Sequence, residues 1–220
     1  MLHLSNVVQP TAGEGLNKKY RLSGKWAKEF FGSDGPVILE LGCGKGEYTV
    51  GLAMMFPERN FLGVDIKGAR IWKGASFAHE SGIKNAGFLR TRIELINSFF
   101  DQGEIDNIWI TFPDPQLKKA RKRLTSPGFL NRYRKFLRSG GAVHLKTDSR
   151  ELYDYTLSVI RANRLPLEDS TEDLYGRGRT DEILDIKTYY EQQFLEQGKP
   201  ILYIRFQLDG SLEITEPDDT

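Results

Sequence analysis

An α/β fold, with a mostly parallel sheet and helices on both faces, is what this sequence predicts, on three observations. Short apolar runs, Val37-Ile38-Leu39, Phe61-Leu62-Gly63-Val64 and Ile105 to Phe112, read as strands buried on both faces. Stretches with helical spacing separate them, and a repeating strand-helix order argues for a parallel sheet with right-handed crossovers. The first run passes through Glu40 into a turn with glycine at Gly42, Gly44 and Gly46, and then into a helix. Strand, glycine turn and helix N-terminus make the ligand-binding corner of a Rossmann-like fold.

In chain order, Met1 to Asn17 is polar and rich in small residues, which predicts a loose arm. Lys18 to Phe31 interleaves Lys18, Lys19, Arg21, Lys25 and Lys28 with Tyr20, Leu22, Trp26, Phe30 and Phe31, an amphipathic helix or helix pair on the domain edge. Residues 1–35 are therefore an arm and an edge helix, and Ser33-Asp34-Gly35-Pro36 turns into the first strand. The main domain, 36–210, is predicted to hold seven strands. After the first, ending at Leu41, a helix runs to about Phe56. A second strand spans Phe61 to Asp65, and a helix runs from Lys67 to about Ser81. A third strand lies around Gly87 to Arg90, a short helix at Glu94 to Phe100, and a fourth strand at Ile105 to Phe112. The fifth, Ala142 to Lys146, follows a Gly140-Gly141 turn, and a helix follows it at Glu151 to Ala162. A strand near Pro166 to Asp169, an irregular stretch at Tyr175 to Arg179, a helix from Thr188 to Gln197 and a strand from Ile201 to Leu208 complete the domain. Residues 211–220 form an acidic tail expected to be disordered.

Composition narrows the function. The 220 residues suit one α/β domain with its own core, and the net charge of +1 means that nucleic-acid affinity must come from a local patch. Cys43 is the single cysteine, inside the glycine turn, so no disulfide can form within the chain; this suits a reducing cytoplasm. No apolar stretch approaches the roughly 20 residues of a membrane span, and the N-terminus lacks a signal-peptide pattern. His3, His79 and His144 do not cluster at metal-ligand spacing, and no metal is expected.

The acids around the corner say what it holds. Asp65, at the end of the second strand, suits a ribose hydroxyl pair, because one carboxylate can accept both O–H groups. In the dinucleotide pattern GxGxxG a pyrophosphate sits at the helix N-terminus. Here the third glycine comes one position early and Glu47 follows, which would repel a pyrophosphate; Glu40 adds a second negative charge. A cationic or zwitterionic ligand fits better, and a dehydrogenase is disfavoured.

A second strand tip carries Phe112-Pro113-Asp114-Pro115. Ligands of open α/β sheets bind beyond the carboxyl ends of the strands, where strand order reverses, and the first and fourth strands flank that point. Asp114, fixed between two prolines, should face the ligand, although a turn acid capping the next helix has the same sequence. In Lys118-Lys119-Ala120-Arg121-Lys122-Arg123, five of six residues are basic. Such a run is often only a solvated face; beside a reaction centre it suits a phosphate-bearing substrate. Arg132, Arg134, Lys135 and Arg138 continue the basic character. The fifth strand ends at Thr147-Asp148, and Thr188-Tyr189-Tyr190-Glu191 opens a helix with a capping-box pattern that is structural by itself.

The pattern ExGxGxG resembles motif I of S-adenosylmethionine-dependent methyltransferases. LELGCGKG, GVD, FPDP with a basic run, LKTD and TYYE together resemble, in that order from Val37 to about Leu208, the bacterial tRNA (guanine-N7-)-methyltransferases. The resemblance implies a class I methyltransferase fold finished by a terminal strand hairpin, S-adenosylmethionine as donor, and methylation of guanine N7 in the tRNA variable loop. It implies cofactor contacts from Glu40, Gly42, Gly44, Asp65, Thr91 and Asp114, with Asp114 also the catalytic residue. Lys118, Asp148, Thr188, Tyr189, Tyr190 and Glu191 would contact substrate, and Lys119, Arg121, Lys122 and Arg123 would meet RNA. Trp72 would pack on the sheet or beside adenine. The chain departs from the family with Gln116 where an aromatic residue usually follows PDP, with a shorter basic run, and with Thr91 where Asp or Asn is common. Two other readings stay open: an amino-group methyltransferase acting on another RNA or a protein, and a non-catalytic RNA-binding relative. Monomer and homodimer are both compatible with the sequence.

Overall fold

A computed structural model describes residues 4–11, 13–15, 18–176, 178, 182–208 and 213–217. It contains an eight-stranded sheet: β1 (Val7–Val8), β2 (Val37–Leu41), β3 (Asn60–Asp65), β4 (Ala86–Arg90), β5 (Ile105–Thr111), β6 (Leu137–Thr147), β7 (Leu167–Thr171) and β8 (Leu202–Gln207). Five α-helices accompany it: α1 (Glu47–Met55), α2 (Gly68–Glu80), α3 (Pro127–Tyr133), α4 (Arg150–Ala162) and α5 (Tyr189–Glu196). The strand order is β1-β4-β3-β2-β5-β6-β8-β7. Pairings from β1 to β6 are parallel, while β8 runs antiparallel to both β6 and β7. The seven expected strands are all present, with the last two as the antiparallel hairpin.

The strands are apolar throughout because both faces are covered. On β2, Leu39 and Leu41 belong to one buried cluster, with Phe129, Tyr133, Leu152 and Ile160 of α3 and α4. Ile38 belongs to the other, with Tyr48, Leu52, Ile71 and Ala75 of α1 and α2. Alternate residues of a strand point to opposite faces, so this division is the period-two signature of a sheet between two helical layers.

Several expectations give way. The eighth strand lies in the arm expected to be loose: Val7 and Val8 pair with Phe88 and Leu89, and the Asn6 amide donates to the Ala75 carbonyl at 2.9 Å. The expected edge helix is a single π-helical stretch, Trp26–Phe31. The wider turn brings residues four and five apart to one side. Trp26 is fully buried, donating its Nε1–H to the Phe99 carbonyl at 2.7 Å, and its ring meets Phe30 and Phe100. Gly140 and Gly141 lie inside β6, where the register against β5 shifts, rather than in a turn before it. The short helix after β4 is a 3-10 helix, Ile93–Ser98. Trp72 is half exposed on α2 rather than packed on the sheet.

The acidic tail is anchored where it is described. Ile214 is buried, and Asn131 clasps its backbone in both directions, at 2.7 and 3.0 Å. Asn163 holds Thr215 the same way, at 2.8 Å in each direction. One apolar side chain and two asparagines outweigh the charge pattern that suggested disorder. Arg177 and Arg179, in the stretch expected to be irregular, lie outside the described residues. No helix among the described residues is long and apolar enough to cross a membrane.

Candidate active site

The strand order reverses between β2 and β5, so their carboxyl ends open a crevice. The glycine corner hangs from the end of β3. Gly42 and Cys43 both donate N–H to the Val64 carbonyl, at 2.8 and 3.1 Å. The Gly44 N–H reaches Asp65 Oδ2 at 3.0 Å, while the Lys67 N–H reaches Oδ1 at 2.7 Å. Each Asp65 oxygen takes one backbone donor and keeps acceptor capacity for a ribose hydroxyl.

The last two glycines do different work. Both are left-handed, Gly44 at φ 55° and Gly46 at φ 73°. A Cβ on Gly46 would stand 2.5 Å from Phe88 Cε1, whereas one on Gly44 would meet nothing within 4 Å. Gly46 thus packs the turn onto the core, and Gly44 faces open space beside Asp65. Cys43 is buried, which pushes its thiol well above its usual range and makes it a packing residue.

Glu40 is only 3% exposed. Its Oε2 accepts from the Thr49 N–H at 2.9 Å and from the Thr49 hydroxyl; its Oε1 accepts from the Thr111 hydroxyl at 2.6 Å. Burial raises its pKa from 4.5 to about 7, against the pull of the Thr111 and Thr49 hydrogen bonds. Expected as a cofactor contact, Glu40 primarily braces β2 to α1 and β5. Thr91 is held by its backbone, N–H to the Asp65 carbonyl at 3.1 Å. With Ile66, Arg90, Arg92 and Leu95 it lines a groove of about 350 Å³, whose other wall is Gln9, Pro10, Thr11, Gly13 and Glu14 of the arm.

The second tip leaves β5 through a forced turn. Phe112 sits at φ 48°, a conformation sparsely used by residues with a side chain, and donates its N–H to the Lys146 carbonyl at 2.8 Å. Asp114 is exposed, and its Oδ1 accepts from the Gln116 N–H at 3.0 Å. Among the described residues, no hydrogen bond or ion pair engages its Oδ2. Lys118, Lys119, Arg121 and Lys122 are all exposed beyond it. Arg123 is not: at 4% exposure its Nε donates to the Pro115 carbonyl at 3.0 Å, its guanidinium pairs with Glu151, and it lies 4.5 Å over the Tyr155 ring. Expected at the RNA surface, Arg123 instead fastens the Asp114 loop to α4.

Thr188 to Glu191 divides in the same way. The expected capping box forms, Glu191 N–H to Thr188 Oγ1 and Thr188 N–H to Glu191 Oε2, each at 3.3 Å. Tyr189 and Tyr190 are each 45% exposed. Glu191 is fully buried, and its carboxylate pairs with Lys146 at 2.7 Å, so it presents no surface to a substrate. Burial pushes the Lys146 ammonium below the usual lysine range, and Glu191 opposes that fall. Asp148, at the tip of β6, lies 3.4 Å from Lys199 and keeps some exposure.

Contacts that the motifs did not announce tie these parts together. The Tyr189 N–H donates to a Glu47 carboxylate oxygen at 2.8 Å, and Lys45 Nζ sits 3.7 Å over the Tyr189 ring. Tyr189 is therefore clasped to the glycine corner by the two residues flanking Gly46, and Tyr190 sits edge-on beside it, ring centroids 5.6 Å apart. Among the described residues, no group of three or more His, Cys, Asp or Glu could hold a metal ion.

A family model described as "Putative methyltransferase" matches residues 34–204. The crystal structure of the 16S rRNA methyltransferase KamB superposes with a TM-score of 0.60 at 17% identity, covering 78% of this chain and 86% of that one. Fold and glycine corner together define a class I methyltransferase. A tRNA (guanine-N(7)-)-methyltransferase from Bacteroides fragilis is 57% identical over 202 residues, 92% of this chain and 80% of its own length. Its namesake from Porphyromonas gingivalis is 55% identical over 201 residues, 90% and 82% of the two chains. The chain belongs to the tRNA (guanine-N(7)-)-methyltransferase family.

Proposed function

We propose that this protein transfers a methyl group from S-adenosylmethionine to N7 of a guanine in the tRNA variable loop. The observation that carries the reading is the clasp between Tyr189 and Glu47 at 2.8 Å, which sets an exposed tyrosine against the glycine corner with exposed Tyr190 edge-on beside it. A corner shaped for a nucleoside and a platform able to stack a base then share one crevice.

The corner fits the donor. Asp65 keeps acceptor positions for the ribose, Gly44 leaves open space, and the groove past Ile66 and Thr91 would take the adenine. S-adenosylmethionine, when bound there, supplies a methyl carbon on a cationic sulfur. Guanine N7 carries a lone pair and no proton, so no side chain need act as a base. The chain's task is alignment and placement of charge. Asp114 is suited to both: it is exposed at the tip of β5, and its Oδ1 is anchored on Gln116 N–H. There it would accept from the guanine N1–H and amino group and offset the positive charge that grows on the purine, with Asp148 assisting. Lys118, Lys119, Arg121 and Lys122 would meet tRNA phosphates. The single buried thiol fits a reducing compartment, and we place the enzyme in the cytoplasm.

Nucleoside mass spectrometry of tRNA, after incubation with labelled S-adenosylmethionine, tests the reading. Label in N7-methylguanosine is the expected result. Label in an amino-methylated nucleoside, or none, would overturn it.

A further inference from the structure

Of the four residues Thr188 to Glu191, Glu191 alone has no exposed surface. Its carboxylate takes Lys146 Nζ at 2.7 and 2.9 Å on its two oxygens and the Tyr175 hydroxyl at 2.6 Å. Lys146 directs its other protons to the Leu184 and Ile186 carbonyls, at 3.0 and 3.2 Å. An ammonium has three donors, and all three are used. Lys146 therefore joins β6, the segment before α5 and the first turn of α5 at one point. The Tyr175 oxygen also lies 3.2 Å from the Leu184 carbonyl, and the Tyr48 hydroxyl donates to the Ile183 carbonyl at 2.8 Å. Lys146 is also continuous with the catalytic loop, since its own carbonyl accepts from Phe112 N–H.

A buried ion pair is weak evidence for stability, because apolar residues of similar volume often serve as well. What this one provides is direction: a fixed bearing for the helix that carries Tyr189 and Tyr190. We propose that Lys146 and Glu191 are a positioning pair, locking the tyrosine tip against the glycine corner, so that Glu191 acts on the substrate through that tip and not by touching it. This rests on the methyltransferase reading above.

The test compares Lys146→Met, Glu191→Gln and the double variant, with Tyr175→Phe as a milder perturbation of the same knot. Each single variant is expected to raise KM for tRNA about tenfold, with binding of S-adenosylhomocysteine within about twofold of wild type. The double variant should also stop near tenfold rather than multiply to about a hundredfold, since both changes break one interaction. Amide exchange at Tyr189 to Gln192 should quicken in both singles while that of Val37 to Leu41 stays unchanged. Multiplying KM effects, or a Lys146→Met enzyme with wild-type KM beside a crippled Glu191→Gln, would show that Glu191 meets the substrate itself and overturn the proposal. Unchanged exchange at α5 would do the same. If wild type makes no N7-methylguanosine, the functional reading falls and the exchange measurement decides the pair by itself. If Lys146→Met does not fold, Glu191→Gln and Tyr175→Phe carry the comparison.

Discussion

Gly44 and Gly46 stand two residues apart in one turn, both left-handed, yet alanine at each should fail for a different reason. The left-handed region costs a residue with a Cβ about 1–2 kcal/mol, and both variants incur that. Gly46→Ala adds a collision, its methyl 2.5 and 2.7 Å from two atoms of Phe88. Phe88 is fully buried and cannot swing aside into solvent. Overpacking of this kind costs about 1–3 kcal/mol, so the total is roughly 2–5 kcal/mol. At about 2–4 °C per kcal/mol for a chain of this size, the midpoint of thermal unfolding should fall by roughly 4–20 °C. Gly44→Ala meets nothing within 4 Å and should cost no more than about 2 kcal/mol. Its methyl would occupy the space assigned to S-adenosylmethionine, so affinity should drop at least about tenfold, which is 1.4 kcal/mol. Denaturant unfolding and calorimetric titration with S-adenosylhomocysteine measure the two quantities. A Gly46→Ala protein as stable as wild type would refute the packing argument. A Gly44→Ala protein that binds normally would refute the placement of the ligand.

Glu40 is buried with a pKa raised from 4.5 to about 7. The folded state holds its proton to higher pH than the unfolded state, so its contribution to stability is full below pH 4.5 and is lost as pH rises through 7. The stability difference between wild type and Glu40→Gln should therefore shift against wild type by roughly 3 kcal/mol across that window; a difference that does not vary with pH would contradict the assignment. Cys43 should resist thiol reagents in the native protein and react only on unfolding, because it is buried and its thiol is pushed far above neutrality. Rapid native labelling would show the turn to be open. Replacing Arg121 or Lys122 by alanine should lower the salt dependence of tRNA binding by about one phosphate contact each. Arg123→Met should leave that slope unchanged and instead reduce thermal stability, since Arg123 bonds Pro115 and pairs with Glu151 inside the fold.

The fold was legible because its signals are local and repeated: apolar runs at strand length, helical spacing between them, and a glycine turn at the first switch. The added β1 was not, because two valines in a polar arm carry no periodicity, and only the free edge of β4 makes a strand of them. The site was legible at the level of strand tips. Gly44 and Asp65 meet in one hydrogen bond at the end of β3, and Asp114 is exposed just past the end of β5. What sequence could not divide was contact from support. Arg123 belongs to a basic run and turns inward; Glu191 belongs to a stretch expected to contact substrate and points at Lys146. A charged side chain reads the same in both settings, and its burial depends on a partner far along the chain. One signal was available: Lys146 ends an apolar strand, Ala142 to Lys146, and a lysine there needs an acid. The expected capping box of Thr188 and Glu191 did form, so the structural reading of that motif stands beside any functional one.

Single-turnover methyl transfer by Asp114→Ala, with tRNA and labelled S-adenosylmethionine both bound, probes the meeting of the two strand tips most directly. The account predicts a rate lower by about a hundredfold or more, with cofactor binding still measurable by titration. Near-normal transfer in that variant would contradict it and remove the β5 tip from the chemistry.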